Sequence, residues 1–565
     1  MTNFGVIFSE IACLESLSEE QVNELETAQR SGKVQLLASY LDIPEEEALQ
    51  RLSGDAGLAL ADPDAFDLEV LTSLPIRIIN EYHCVPLLGD SDEDSLVLAT
   101  SWLPDGDMDD WIFATSGKEV SWRLAAPDKI TKFVTANLGV GAESLDDSMD
   151  LVADASFSEE EEEDESAAII RFVNQVISQA IEDGATDIHF EPQEETLRIR
   201  YRIDGLLVAV PVPENLRRIQ DAITSRLKIM AKLNISERRL PQDGRINYNK
   251  SGNTLDIRLS TISTMYGESV SLRLLNKKSE PLSLEQLGLP QEDQVQIDNV
   301  LTLPHGIILV TGPTGSGKST SLNAFIRQIN STDKRIMTIE DPIEYEVPGV
   351  NQIQVQPEIG FDFADALRHV LRQDPDTIMI GEIRDKDTAD IAIRASLTGH
   401  LVFSTIHTND APGAITRLVD MGIEPFLIAS SIEMVIAQRL IRRICSDCKK
   451  MLPVDPVSLR NSLAILDIDP EEAHGISHLP EPSGCEKCRQ LGYRGRLGLF
   501  EILRVDESFH DLIVNKESAR AIRKLGLEKG MRTLEQSGWM QVKKGLTSLE
   551  EVVRVVSMAQ GNEEE

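Results

Sequence analysis

Gly306-Ile-Ile-Leu-Val-Thr-Gly312-Pro-Thr-Gly-Ser-Gly-Lys318-Ser319-Thr320 runs from an apolar strand pattern straight into a glycine-rich turn. The turn, Gly312 to Ser319, fits G-x-x-x-x-G-K-[ST], and a helical pattern from Thr320 to Ile329 follows at once. A phosphate-binding loop needs strand, loop and helix in that order. Gly312, Gly315 and Gly317 let successive backbone N–H groups turn toward phosphate oxygens, and Pro313, Thr314 and Ser316 complete the loop. Lys318 adds a point positive charge, the Ser319 hydroxyl can ligate Mg²⁺, and Thr320 opens the helix.

Moving outward, further apolar runs, each followed by a helical pattern, occur at Arg335 to Ile339, Thr377 to Ile380 and Leu401 to Thr405. Continuous apolar strands alternating with helices predict an α/β domain whose mostly parallel sheet is covered on both faces. Thr377-Ile-Met-Ile-Gly-Glu382 ends in a carboxylate that, beside a phosphate loop, points at the γ-phosphate or its Mg²⁺. Thr338-Ile-Glu340-Asp341-Pro-Ile-Glu344 is a second strand ending in acids. Three carboxylates so close together need a cation or a water to polarise, and a solvated strand end is the plainer alternative. His400 and His407 bracket Leu401 to Thr405 near its opposite ends; both are expected to sense or orient phosphate.

Cys445-Ser-Asp-Cys448 and Cys485-Glu-Lys-Cys488 hold four of the six cysteines. Two C-x-x-C pairs suit tetrahedral Zn²⁺ and a reducing compartment, with redox or disulfide use as the alternative. The segment between them has few large apolar residues, so the metal is expected to fold it.

The chain has 565 residues and a formal net charge of −39. That length implies three or four domains at roughly 100 to 200 residues each. Residues 1–166 carry a net −30, from 38 acidic and 8 basic side chains, and the remainder is nearly balanced. A field of that sign repels phosphate backbones, and no basic stripe is visible in the sequence, so nucleic acid is not an expected partner. No apolar run approaches the roughly 18 residues of a membrane span, and Met1 to Glu10 does not read as a leader. Residues 1–142 mix short helical patterns with strand-like pieces such as Ser95 to Ala99, an α+β domain. The acidic stretch 143–166 is expected to be an unstructured linker. After it come a helix from Ala167 and a second α+β domain with strands at Leu197 to Ile203, Leu206 to Val210, Thr254 to Ser260 and Ser269 to Leu275.

Together these segments resemble the secretion ATPase superfamily, specifically the type II secretion and type IV pilus assembly ATPases, over about residues 167–560. GPTGSGKST resembles the Walker A loop, Thr338 to Glu344 the aspartate box, Asp374 to Asp385 the Walker B region and Thr398 to Asp410 the histidine box. Ala185 to Pro192, Arg200 to Gly205 and Arg239 to Arg245 resemble segments of the domain preceding the ATPase core. The resemblance implies a RecA-like P-loop core with a zinc-binding insertion, preceded by a PAS-like α+β domain and a small α+β N-terminal domain. The implied boundaries are 1–142 for docking, 143–166 for the linker, 167–280 for the second domain and 281–565 for the ATPase, with 442–498 as the tetracysteine subdomain.

It also implies ATP, Mg²⁺ and a structural Zn²⁺. Glu382, Glu340, Asp341 and Glu344 then position metal and water, and Arg258 and Arg273 reach the γ-phosphate of a neighbouring subunit as fingers. The implied assembly is a homohexamer in the cytoplasm, recruited through docking proteins to an inner-membrane platform and touching the membrane only indirectly. Retraction, DNA transfer, and a scaffold without hydrolysis are the alternatives. Pro75 to Leu87 resembles the end of the assembly ATPases' N-terminal domain, but the RLG-containing repeats of members that bind cyclic di-GMP are absent, so that ligand is not expected.

Overall fold

The computed structural model describes residues 11–560 apart from 16, 29, 72–77, 80–81, 89–94, 105–107, 110–111, 114–117, 139–158, 214–215, 251–252 and 276–281. The chain divides into two compact units, Met1–Leu275 and Asn276–Glu565.

In the first unit, the helices Arg30–Leu41 and Glu45–Ala56 bury Val34, Leu37, Leu49 and Leu52 in a small helical core. Three strands follow: β1 (Cys84–Pro86), β2 (Ser95–Thr100) and β3 (Glu119–Leu124). β1 pairs antiparallel and β3 parallel with β2, and the helix Pro127–Leu138 adds Ile130 and Val134 to their core. The next helix spans Glu159–Glu182. It therefore begins eight residues inside the stretch read as a linker, whose remainder up to 158 lies outside the described residues.

Six antiparallel strands then form one sheet: β4 (Asp187–Pro192), β5 (Leu197–Ile203), β6 (Leu206–Ala209), β7 (Gln242–Lys250), β8 (Asn253–Thr264) and β9 (Gly267–Leu275), in the order β6-β5-β4-β9-β8-β7. Phe172, Val176 and Ile177 of Glu159–Glu182, with Ile223 and Leu227 of Leu216–Met230, pack on Ile188, Ile199, Ile257 and Leu272. The period of two along a strand places the arginines of these strands on the opposite face.

The second unit is built on β10 (Gly306–Thr311), β11 (Ile336–Glu340), β12 (Asn351–Gln354), β13 (Thr377–Ile380), β14 (Leu401–Ile406), β15 (Ile432–Ile444) and β18 (Tyr493–Arg504). Their order is β12-β11-β13-β14-β10-β15-β18, and every neighbouring pair is parallel except β15 with β18. β10, β13 and β14 are buried throughout, which is why they read as unbroken apolar runs. Separate cores cover the two faces, one around Leu309, Ile380 and Ile415, the other around Ile308, Phe325 and Phe403.

Between β15 and β18 lies the insertion with β16 (Lys449–Pro453) paired antiparallel to β17 (His478–Pro482). It has no core to itself: its few large apolar residues are covered by other segments of the second unit. Leu459, Leu463, Leu466 and Leu479 meet Trp539, Val542 and Val552 of the C-terminal helices. The missing apolar surface comes from residues more than 50 positions later in the chain, which composition alone cannot show.

Candidate active site

The phosphate loop closes between Thr311 and Lys318 with Gly312, Gly315 and Gly317 all at positive φ, at 146°, 78° and 88°. Two of them also have no room for a side chain. A Cβ on Gly312 would fall 2.4 Å from the Gln438 carbonyl oxygen, and one on Gly317 would fall 2.8 Å from Gln438 Nε2. Lys318 Nζ donates to the carbonyls of Gly312 at 2.9 Å and Pro313 at 3.0 Å, so its ammonium lies across the loop mouth. Burial pulls its pKa down to about 8, against the pull of Glu382 and with help from Arg439.

That value fixes a pH dependence. Phosphate binding favours the charged amine, so binding takes up a proton wherever the free loop has lost one, which means from about pH 8 upward. ATP affinity should therefore fall as pH rises through 8. Calorimetric titration in buffers of different ionisation enthalpy should show little proton uptake at pH 7 and substantial uptake at pH 9.

The register sets the acids beside this loop. Thr311 pairs with Ile406 and Ile380 with Ser404, so Gly312, His407 and Glu382 all follow the carboxyl ends of adjacent strands. In open α/β sheets this is the edge where ligands bind. Glu382 is held between two partners, Arg384 Nη2 at 2.5 Å and His407 Nε2 at 3.2 Å. Thr311 Oγ1 accepts from the Thr408 backbone N–H at 2.8 Å, which staples the loop's strand to the turn that carries His407.

Glu340 ends β11 next to Gly381, whose N–H donates to Ile339 at 2.7 Å. Its carboxylate is buried and accepts from Thr338 Oγ1 at 2.6 Å and Gln352 Nε2 at 2.9 Å. Burial raises it above the usual carboxylate range. Asp341 and Glu344 are exposed on the turn that follows.

His400 does not join this group. It precedes β14, level with the start of β10, where its carbonyl accepts from Gly306 and its Nδ1 contacts the Ala395 carbonyl at 2.8 Å. Six strand residues, about 20 Å at 3.3 Å each, separate it from His407. Its pairing with His407 as a phosphate contact is corrected on that ground. Arg384 and the β15 residues next to the loop were missed. Arg384 carries a signal in hindsight, since a basic residue two positions after Glu382 can fold back onto it.

In the first unit, Arg258 and Arg273 are direct cross-strand neighbours. The same row continues through Arg245 on β7 and, past Asp187 on β4, to Arg202 on β5. Asp187 Oδ1 accepts from Arg273 Nε at 3.1 Å, leaving most of that side chain in solvent. Four arginines with one acid form a basic stripe after all, spread over four strands and visible only once the register is known.

At the far end of β15, Cys445 Sγ lies 3.8 Å from Cys485 Sγ, Cys448 Sγ lies 3.8 Å from Cys488 Sγ, and Cys485 and Cys488 are 3.6 Å apart. All four sulfurs fall within 4.8 Å of one another. Sulfurs about 2.3 Å from a tetrahedral zinc are about 3.8 Å apart, whereas a disulfide needs about 2.05 Å. The donors fit the metal. Backbone N–H groups of Cys485 and Gly492 point at Cys488 Sγ, each at 3.2 Å, the environment that favours a thiolate.

A glycine loop at the carboxyl edge of a parallel sheet, with a lysine, a hydroxyl and a flanking carboxylate, defines a P-loop nucleoside triphosphatase. Residues 162–554 match the family Type II/IV secretion system protein, and residues 56–143 match the MshEN domain. The chain belongs to that secretion family and is an ATPase of it. Type II secretion system ATPase E of Vibrio cholerae is 46% identical over 74% of this chain and 81% of its own length. Type IV pilus assembly ATPase PilB of Myxococcus xanthus is 39% identical over 90% of this chain and 91% of its own. The solved pilus retraction motor PilT with bound ADP is 28% identical over 67% of this chain and 95% of its own, at a TM-score of 0.44. No helix among the described residues is long and apolar enough to cross a membrane.

Proposed function

We propose that the chain hydrolyses ATP in a ring of six copies and that the resulting domain movements drive assembly of pilin-like subunits through an inner-membrane platform. The work is type II protein secretion or type IV pilus assembly. The observation that carries this reading is the convergence of Lys318, Glu382 and His407 at one sheet edge in a chain of this family. Lys318 and the loop N–H groups would hold the β- and γ-phosphates, Ser319 would hold Mg²⁺, and Mg²⁺ would neutralise charge on the oxygens in transfer. Glu382 orients metal or water, with Glu340, Asp341 and Glu344 as neighbouring acids. Arg258 and Arg273 serve the site of the next copy. Analytical ultracentrifugation with a non-hydrolysable ATP analogue tests the ring: a six-copy species supports it, and a monomer at every concentration refutes it.

The location proposed is cytoplasmic, with residues 1–142 docking the ring to membrane-bound partners across the acidic segment. Retraction is a poorer fit. By the family resemblance, retraction members lack the four cysteines that this chain brings together.

One Zn²⁺ is assigned to Cys445, Cys448, Cys485 and Cys488, with a structural role because all four positions of a tetrahedron are filled. Cys485→Ser should lower the zinc content well below one equivalent by elemental analysis. Helix Pro456–Ile465, anchored by Leu459 and Leu463, should nonetheless stay resistant to protease.

A further inference from the structure

Strand β15 passes directly behind the phosphate loop and brings Gln438 and Arg439 with it. Thr311 pairs with Ala437, so these two residues lie level with Gly312 and Pro313. The point 2.4 Å from the Gln438 carbonyl where Gly312 would carry a Cβ is also 2.7 Å from Ser316 Oγ and 3.1 Å from Arg439 Nη1. Gln438 ties the strand to the helix after the loop by accepting from Ser321 Oγ at 2.7 Å.

Arg439 is only 5% exposed. Its guanidinium bonds neutral oxygens: the Asn409 carbonyl at 3.0 Å, Asn409 Oδ1 at 3.3 Å and the Gln438 carbonyl at 3.3 Å. A buried cation satisfied by neutral acceptors alone is costly until a counter-charge arrives. The acids whose fields reach it are Glu501, Asp410 and Glu535. All three are shared with Arg523, at 3.9, 3.8 and 3.5 Å, and burial pushes the Glu501 carboxyl up to about 7. On the loop side, Ser316 Oγ is buried with no partner. Two cations, Lys318 and Arg439, and one unmet hydroxyl thus converge on the loop, and the component that would balance them is an anion.

We propose that Arg439 is a positioning residue of the nucleotide site: fixed by Asn409 behind Gly312, it supplies a second positive charge that the β- and γ-phosphates balance. ATP and ADP meet that demand. AMP, which places no phosphate in the loop beyond its first, does not.

Binding of ATP, ADP and AMP to the full chain, measured by calorimetry or competition, tests this. Arg439→Met, which keeps length and loses charge, should weaken ADP and ATP at least tenfold and AMP less than twofold. Arg439→Lys should recover most of the loss. Equal weakening of all three nucleotides, a change under twofold for ADP, or failure of the lysine to recover binding would overturn the proposal. Should Arg439→Met fail to fold, Glu501→Gln decides. It removes the competing acid without changing shape and should tighten ADP severalfold; unchanged or weaker ADP binding would overturn the assignment.

Discussion

Glu382→Gln should bind ATP normally and release phosphate slower by a factor on the order of 100 or more, a loss of the size seen when one preorganised charge is removed from a phosphoryl-transfer site. The substitution keeps the shape of the side chain, although its one carbonyl oxygen replaces only one of the two oxygens that Arg384 and His407 meet separately. What it removes is the negative charge proposed to face Mg²⁺ or to polarise water. Lys318→Ala should be as slow for a different reason. It takes away the ammonium that bridges the loop carbonyls, so nucleotide binding falls with turnover. Phosphate release and nucleotide affinity measured together separate the two variants. Near-normal hydrolysis by pure Glu382→Gln protein would refute the role given to this carboxylate.

The second large effect concerns the arginine row. Arg258→Ala and Arg273→Ala should each bind ATP and hydrolyse it roughly 100-fold more slowly, because a finger contributes only as charge develops in transfer. Mixing either variant with Lys318→Ala should restore part of the activity. A mixed ring contains interfaces that pair an intact finger with an intact phosphate loop, and neither pure protein does. Absence of recovery at every mixing ratio would show that the fingers and the loop do not come from different copies. Asp187 gives the row its order: it braces Arg273 from one side and leaves the guanidinium otherwise in solvent, ready for a partner.

The nucleotide-facing half of the second unit was legible because its strands are buried on both faces. Thr377–Ile380 matches its sequence reading residue for residue, β14 runs one residue beyond its reading, and β11 is displaced from its reading by one residue at both ends. β15 and β18 were not legible. Ile432–Ile444 mixes Gln438, Arg439 and Arg442 with apolar residues at no single period, because its first half borders the nucleotide loop and its second half does not. The same cause hid Gln438 and Arg439 as site residues. His400 misled for a different reason: its place at the opposite end of the strand from His407 was legible, and that place is also the edge of the sheet away from the phosphate loop, beside Gly306. The arginine row and the apolar cover over the insertion share a third cause. Both are assembled by contacts between distant segments, and neither leaves a local pattern.

Strand β15 joins two places that chemistry keeps apart. It is hydrogen-bonded to β10 as far as Ala437 and to β18 as far as Ile444, and Cys445 follows directly. Between Gln438 behind the loop and Cys445 in the cysteine cluster the chain is extended over about 23 Å, with one irregularity in its pairing between Arg442 and Ile444. The two ends therefore share one strand, and a displacement of the loop when nucleotide enters is expected to be felt at the cysteines as well. A fluorophore or spin label attached beside the insertion, on an exposed side chain such as Lys450, would read the nucleotide state of each copy from outside. It would do so without a probe in the site.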